Sequence, residues 1–217
     1  MLKIRIRFQK ERLLRIMSDK KIKFLGLEIF ISIILIILAF LIYLNVKPYL
    51  NRGKTRQNIN SIKDYPYLVY KSDTKLFKAK YKELKKVLEA SSINDKEYAR
   101  LIGELFTIDF YTLDNKEGRS DVGGLQFIHK DIRDNFKSKA EDTLYKYLTT
   151  DNKKKINTVT SVQTEAIVKE RINFKGNTDF NGYKMIIRIT SSDSTYQNKV
   201  KLELVHDGNL IEIIKVN

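Results

Sequence analysis

The chain has 217 residues, a formal net charge of +15 at pH 7 and no cysteine. Without cysteine, disulfide frameworks, thiol catalysis and cysteine-ligated metal sites are excluded. The positive charge suits anionic lipid headgroups, anionic envelope polymers or nucleic acid. Because the lysines are scattered through a Lys-, Asn- and Ile-rich sequence, we expect no nucleic-acid partner.

Residues 24–46 are the most apolar stretch of the chain, FLGLEIFISIILIILAFLIYLNV, and Glu28 is the one charged residue in it. A helix of this length can cross a hydrocarbon core of about 30 Å, which predicts one transmembrane helix. A buried helix of a globular core is one alternative, and the lack of a polar face disfavours it. A cleaved signal peptide is another, and no small-residue cleavage site follows the stretch.

Basic residues are more numerous before the apolar stretch than after it. Residues 1–23 carry nine Lys or Arg, and five are spread over a similar length after residue 46. By the positive-inside rule, this difference predicts a basic cytoplasmic tail at 1–23 and an extracytoplasmic location for residues 47–217. The sequence therefore predicts a single-pass protein of the cell membrane, with the lipid bilayer as one of its partners.

Residues 47–71 are predicted to form a linker, because Pro48 stops the preceding helix and Gly53 and several asparagines discourage regular structure. Three tyrosines of this segment could dock onto the domain that follows or lie near the membrane interface: Tyr65, Tyr67 and Tyr70. Residues 72–217 are enough for one hydrophobic core and too few for two, so we expect one compact domain there.

Three helical segments are predicted in the first half of this domain, from apolar residues at spacings of three and four. The first follows a cap within residues 72–74. Its apolar positions are Phe77, Tyr81, Leu84 and Leu88. The second runs from about residue 94 to 113, where the turn sequence DNKEG ends it. The third spans roughly residues 125–148.

From residue 156 apolar and polar residues alternate, which predicts about four antiparallel strands. Turns are expected at residues 176–182, at 191–195 and at Asp207-Gly208. With Asp207-Gly208 as a two-residue loop, Leu204 would face Ile211 and Leu202 would face Ile213. The order of the elements predicts an α+β fold in which about three helices pack on a curved antiparallel sheet.

This order of helices and closing strands resembles the nuclear transport factor 2-like (cystatin-like) cone fold. The resemblance is carried by LIGELFTIDFYTL (101–113), DVGGLQFIHKDIRDNF (121–136), YKMIIRITSS (183–192) and KVKLELVHDGNLIEIIKV (199–216). Together with an N-terminal anchor, the layout is similar to bitopic assembly subunits of type IV secretion and conjugation systems. The resemblance implies a scaffold that bridges a membrane and protein partners and catalyses no reaction.

Cone folds also include enzymes, such as ketosteroid isomerase-like proteins, that hold an acid or base in an apolar cavity. Asp109 is the candidate for such a group, because Leu105 and Leu113 would share its helix face. The alternative is an exposed Asp109 or one that accepts a structural hydrogen bond. The residues we expect at a cavity or a partner contact are Asp109, Tyr111, Asp121, Gly123, Gly124, Phe127 and His129.

No motif of a P-loop, dinucleotide site, serine hydrolase, zinc protease or calcium loop is found. His129 and His206 are far apart in sequence, and His206 is expected in solvent beside a turn. We therefore expect no cofactor and no metal. Our hypothesis is a membrane-anchored, non-catalytic scaffold that assembles with itself or with other envelope proteins. The alternatives are a small-ligand-binding or isomerase-like cone domain, and a basic module that binds anionic envelope polymers.

Overall fold

The computed structural model of the chain describes residues 32–42, 57–148 and 156–217. The contacts divide the chain into two units, Met1–Lys54 and Thr55–Asn217. In the first unit, residues 32–42 form helix α1. The second unit holds all the other described elements, which belong to the α+β class with sheets of two and four antiparallel strands.

Helix α1 lies within the segment that the sequence predicts to cross a membrane. In the described ranges, no helix combines the length and the apolar character that a membrane crossing needs. The predicted transmembrane helix is corrected accordingly, and the single-pass anchor is without structural support. The tail at 1–23 and residues 24–31 and 43–46 lie outside the described residues.

Residues 57–71 belong to the second unit and contribute to its packing. Strands β1 (Asn58–Ser61) and β2 (Leu68–Tyr70) form a small antiparallel sheet that the sequence does not predict. Tyr67 is 1% exposed, and the Tyr81 hydroxyl donates a hydrogen bond of 2.8 Å to its carbonyl oxygen. The tyrosine-rich segment therefore contributes to the hydrophobic core.

The first two predicted helices are confirmed. Helix α2 (Lys75–Leu88) begins after Thr74, whose hydroxyl accepts a hydrogen bond from the Phe77 amide, and the four predicted apolar positions are buried. Such a cap satisfies one of the amides that the first turn leaves unpaired. Helix α3 (Asp95–Tyr111) is capped by Asn94 and is buried over most of its length. Its burial follows from its central position in the second unit, because α2, residues 125–127 and strands of the larger sheet all pack against it.

The third predicted helix, at 125–148, is broken in the structure. A short 3-10 helix (Leu125–Phe127) is followed by helix α4 (Lys130–Asp142). Between them, Ile128 and His129 are extended, and the His129 amide donates a hydrogen bond of 2.9 Å to the Ile213 carbonyl. The helix cannot run through this point because its backbone pairs with a strand instead.

The larger sheet has the strand order β3 (Val159–Phe174), β4 (Asn177–Ser191), β5 (Lys199–Asp207) and β6 (Leu210–Val216), all antiparallel. Helix α3 packs on one face of it, where Gly103 lies against Met185, Ile187 and Leu202. Strand β6 also receives a parallel bridge from Ile128 to Ile213. This bridge places the start of α4 beside the last strand.

Two predicted turns are wrong in detail. Asp207 pairs with Leu210, so the last hairpin loop is Gly208-Asn209, and Gly208 has the positive φ of 64° that such a loop needs. A bulge next to Leu204 then sets Leu204 opposite Ile213. The turn expected at 176–182 is only the two-residue loop Lys175-Gly176, because residues 177–182 continue strand β4.

Candidate functional site

Asp109 lies in the last turns of α3 and is 8% exposed. Its Oδ1 contacts Lys116 Nζ at 2.5 Å, and its Oδ2 accepts a hydrogen bond of 2.6 Å from the Gly124 amide. The Lys116 side chain is fully buried in this pair. Both carboxylate oxygens therefore bind the loop that follows α3. This arrangement corresponds to the alternative in which Asp109 accepts a structural hydrogen bond.

Gly123 and Gly124 fit closely against α3. A Cβ atom on Gly123 would lie 2.2 Å from the Asp109 carbonyl oxygen, and Gly124 has a positive φ of 75°. The Gly123 amide donates to the Tyr145 hydroxyl at 3.0 Å, and that hydroxyl donates to the Phe110 carbonyl at 2.7 Å. These contacts make the glycine pair a packing element of the core.

The other predicted site residues on this side do not form one site. Tyr111 is buried, and burial raises its pKa to about 12. Phe127 is fully buried and stacks on Tyr67 with ring centroids 5.5 Å apart. Asp121 is half-buried and accepts a hydrogen bond from the Glu117 amide. The isomerase-like hypothesis, which needs Asp109 and Tyr111 at a cavity, gains no support from this packing.

His129 belongs to a different cluster, next to strand β6. Its Nε2 is 3.8 Å from Asp207 Oδ2 and 3.8 Å from Glu212 Oε2. Glu212 is 5% exposed, and burial raises the pKa of its carboxyl group although its neighbours His129 and Arg133 act to lower it. Lys130 Nζ contacts Asp207 Oδ2 at 2.8 Å. The fold thus gathers a histidine and two acidic residues that are far apart in sequence.

His206 is not solvated as expected, and two carboxylates enclose its ring. Its Nδ1 is 2.8 Å from Asp179 Oδ2, and its Nε2 is 3.0 Å from Asp95 Oδ1. Burial lowers the pKa of His206, but the hydrogen bonds and charges of the two carboxylates outweigh it and leave that pKa raised. The Tyr183 hydroxyl donates to Asp95 Oδ2 at 2.6 Å. This arrangement ties the start of α3 to the sheet.

Two surface grooves lie near these residues. The first, of about 500 Å³, lies between α4 and β6, and we call it the α4–β6 groove. Its lining includes the apolar residues Ile132, Phe136, Ile214 and Val216 and the cations Lys139 and Lys215. The second, of about 230 Å³, is lined in part by His129, Phe174, Asp179, His206 and Asp207. Neither groove is lined by Asp109 or Tyr111.

No protein-family model matches the sequence, and no curated protein or solved structure matches it either. The resemblance to the cone fold and to secretion-system subunits therefore stays a prediction. Functional inference for this chain rests on the geometry of its own residues.

Sequence reasoning missed the α4–β6 groove and the partners of both histidines. Of the seven predicted residues, His129 alone lines one of the two grooves. The alternating pattern of β6 gave no such signal, because a carboxylate between Ile211 and Ile213 is predicted to lie on the exposed face, whereas Glu212 is 5% exposed. The sequence gives no sign that His129 reaches this strand, because the bridge between Ile128 and Ile213 is a long-range contact.

Proposed function

We propose that the chain is a non-catalytic scaffold whose α4–β6 groove binds an extended segment of a protein partner. The observation that carries this proposal is the row of half-exposed apolar side chains along the groove: Ile132, Phe136, Ile214 and Val216. Adjacent apolar residues that remain accessible in a folded domain are typical of protein contacts. The predicted resemblance of residues 101–216 to secretion and conjugation assembly subunits favours assembly proteins as the class of partner.

The backbone of β6 supports an extended partner rather than a helical one. Lys201 and Asn217 exchange two backbone hydrogen bonds, of 2.9 and 3.0 Å, across β5 and β6. In an antiparallel pair, the next residue along the strand turns its amide and carbonyl away from the partner strand. Val216 therefore directs these groups toward the groove side, where an added strand can bond to them.

The charges at the rim indicate the chemistry of the partner. Lys139 is exposed on α4, and the Lys215 side chain is 54% exposed although it contacts Glu203 at 3.1 Å. Cations on both walls favour a segment that carries a carboxylate among its apolar side chains. Complementary charges mainly set orientation and association rate, and the apolar residues provide the burial.

A peptide-display selection on the full chain tests this function. We expect enrichment of peptides with alternating apolar residues and at least one acidic residue. Their affinity should fall by at least about tenfold for Lys139→Glu at low salt, because a contact between like charges replaces one between opposite charges. The matched control is Lys82→Glu on α2, which is also exposed and lies outside the groove lining.

The outcomes are distinct. Peptides that lose affinity for Lys139→Glu and Ile132→Glu but not for the control support the docking groove. If no peptide is enriched, or if the enriched peptides bind all variants equally, the groove is not the binding site. Concentration-dependent self-association that Ile132→Glu abolishes would instead identify a second copy of the chain as the occupant. A preference for anionic polymers unaffected by either groove variant would favour the basic-module alternative.

A further inference from the structure

We propose that His129, Asp207 and Glu212 bind a divalent transition-metal cation, for which Zn²⁺ is the representative ion. One imidazole nitrogen and two carboxylate oxygens from these residues lie within 4.8 Å of one another. Zn²⁺ and its neighbours in the first transition row accept such a set of nitrogen and oxygen ligands. This site shares no lining residue with the α4–β6 groove, so it is independent of the proposed docking function.

An unsatisfied oxygen of Glu212 points to a ligand. The residue is 5% exposed, and within the described part of the chain its Oε2 has no hydrogen-bond partner. Buried carboxylate oxygens in folded proteins are nearly always hydrogen-bonded or bound to a cation. The neighbour of this oxygen within the cluster is His129 Nε2 at 3.8 Å, which is too far for a hydrogen bond. A cation between the two atoms would satisfy both.

The second histidine shows what a directly bonded cluster looks like in the same fold. His206 meets its two carboxylates at 2.8 and 3.0 Å, which leaves no room between the ring and the oxygens. His129 meets its two carboxylates at 3.8 Å each. With metal–ligand distances of about 2.0–2.2 Å, two ligands of one ion are separated by roughly 3.3–4 Å. The wider spacing around His129 therefore matches shared coordination better than direct hydrogen bonding.

The fold holds two of the three ligands in place. The His129 amide is bonded to the Ile213 carbonyl at 2.9 Å, and the Phe174 ring packs edge-on against the imidazole with centroids 4.9 Å apart. Arg133 donates to the Ile128 carbonyl at 2.8 Å and lies 3.7 Å from Glu212 Oε1. This contact leaves the other oxygen, Oε2, on the His129 side. Neighbours that orient metal ligands in this way are typical of metal sites.

Asp207 is the exchangeable ligand. In the structure its Oδ2 contacts Lys130 Nζ at 2.8 Å, and the Lys130 side chain is 66% exposed. A divalent cation would displace this ammonium group, which can move into solvent. Lys130 therefore competes with the cation, and its removal should strengthen cation binding. Because Asp207 and His129 also line the groove of about 230 Å³, the remaining coordination positions of the cation would open onto that groove.

Cation binding also changes the tautomer of His129. Its Nδ1 accepts a hydrogen bond of 3.2 Å from the Asp131 amide, so the hydrogen-bond geometry assigns the proton of the neutral ring to Nε2. Coordination through Nε2 requires a lone pair there, and the proton then moves to Nδ1. The contact with the Asp131 amide is given up in exchange. This switch is a specific signature of the proposed coordination.

Titration calorimetry with Zn²⁺ tests the site, using the full chain without a polyhistidine tag in a buffer that does not chelate. We expect binding of one equivalent, at least about tenfold weaker binding for Glu212→Gln and Asp207→Asn, and tighter binding for Lys130→Gln. The control is Glu203→Gln, which changes a carboxylate that contacts Lys215 elsewhere on the sheet. Thermal unfolding without Zn²⁺ checks that each variant is folded. If Glu212→Gln does not fold, Zn²⁺ binding to Asp207→Asn tests the site, because Asp207 is half-exposed.

Nitrogen-15 spectra of the imidazole rings provide the second readout, which is simple because the chain has two histidines. Zn²⁺ should move the His129 pattern from the Nε2–H to the Nδ1–H form and leave that of His206 unchanged. The proposal is overturned if the wild type binds no Zn²⁺, if Glu212→Gln or Asp207→Asn binds it as well as the wild type, or if the His129 tautomer stays the same at saturation.

Discussion

Lys116 and Asp109 form a buried ion pair with 2.5 Å between Nζ and Oδ1, and their side chains are 0% and 9% exposed. The pair joins the end of α3 to the turn after it. Burying two charges is unfavourable unless each finds its partner. Here Asp109 has a second partner in the Gly124 amide, so the carboxylate organises the whole loop from Lys116 to Gly124.

Replacing Lys116 by Met should destabilise the fold strongly. The substitution keeps most of the side-chain volume but leaves the Asp109 carboxylate buried without its cation, which typically costs about 3–5 kcal/mol. Urea unfolding followed by circular dichroism measures the change. The control is Lys215→Met, whose ion pair with Glu203 is exposed and should be worth less than about 1 kcal/mol. Equal losses in both variants would contradict the structural importance of the buried pair.

Gly123→Ala should also destabilise, for a steric reason. Its Cβ would lie 2.2 Å from the Asp109 carbonyl oxygen, a backbone atom that cannot rotate away. Overpacking of this kind typically costs about 1–3 kcal/mol. The matched control is Gly118→Ala, where the nearest atom to the new Cβ is the Leu148 carbonyl oxygen at 4.0 Å. The melting temperatures of the two variants should therefore differ, and a similar melting temperature would show that the loop can shift at little cost.

The sequence predicted those helices and strands that are determined by residues close together in the chain. The cap at Thr74 and the buried stripe of α2 follow from spacing within one helix, and the strands from residue 159 onward follow from alternation. The α+β order follows from both. The transmembrane prediction relied on the length and the apolar character of one segment, and among the described residues no helix combines the two.

The sequence did not show which distant segments of the chain pair with each other. The bulge near Leu204 and the bridge between Ile128 and Ile213 are set by packing between distant segments. The bulge shifts the register of β6, and the bridge interrupts the third predicted helix near its start. The same bridge brings His129 to Glu212. The spacing of the two histidines predicted no metal site, and it could not show that the fold brings His129 close to Asp207 and Glu212.

Tyr67→Phe should cost about 1–2 kcal/mol, a larger loss than its small change in volume suggests. The Tyr67 hydroxyl is 2.6 Å from that of Tyr98, in a buried cluster next to β6. Removing one partner leaves the other less well satisfied in the core. Tyr147→Phe is the matched control, since Tyr147 is 76% exposed. Chemical denaturation of the two variants should separate them; a loss at Tyr67 no greater than at Tyr147 would contradict a structural role for this hydrogen bond.

The carboxylates of Asp95 and Asp179 should make the fold sensitive to acid. Burial raises the pKa of each carboxyl group, but hydrogen bonds outweigh this effect and leave both pKa values lowered. Asp95 accepts hydrogen bonds from Tyr183 and His206. Asp179 accepts them from His206 and from the Asn181 amide. A carboxyl group whose folded pKa lies below its unfolded value of about 3.9 stabilises the fold above that value. The contribution is lost as the pH falls through the lowered folded pKa.

Asp179→Asn tests this dependence. At pH 7 the variant should be about 1–3 kcal/mol less stable than the wild type, because charged hydrogen bonds to His206 are lost. The difference should shrink as the pH falls from about 5 toward 2, where the wild-type carboxyl also becomes neutral. The control, Asp134→Asn on the exposed side of α4, should track the wild type throughout. Urea unfolding at a series of pH values measures these differences, and a gap between Asp179→Asn and the wild type that stays constant with pH would show that the carboxylate's charge is not what stabilises this cluster.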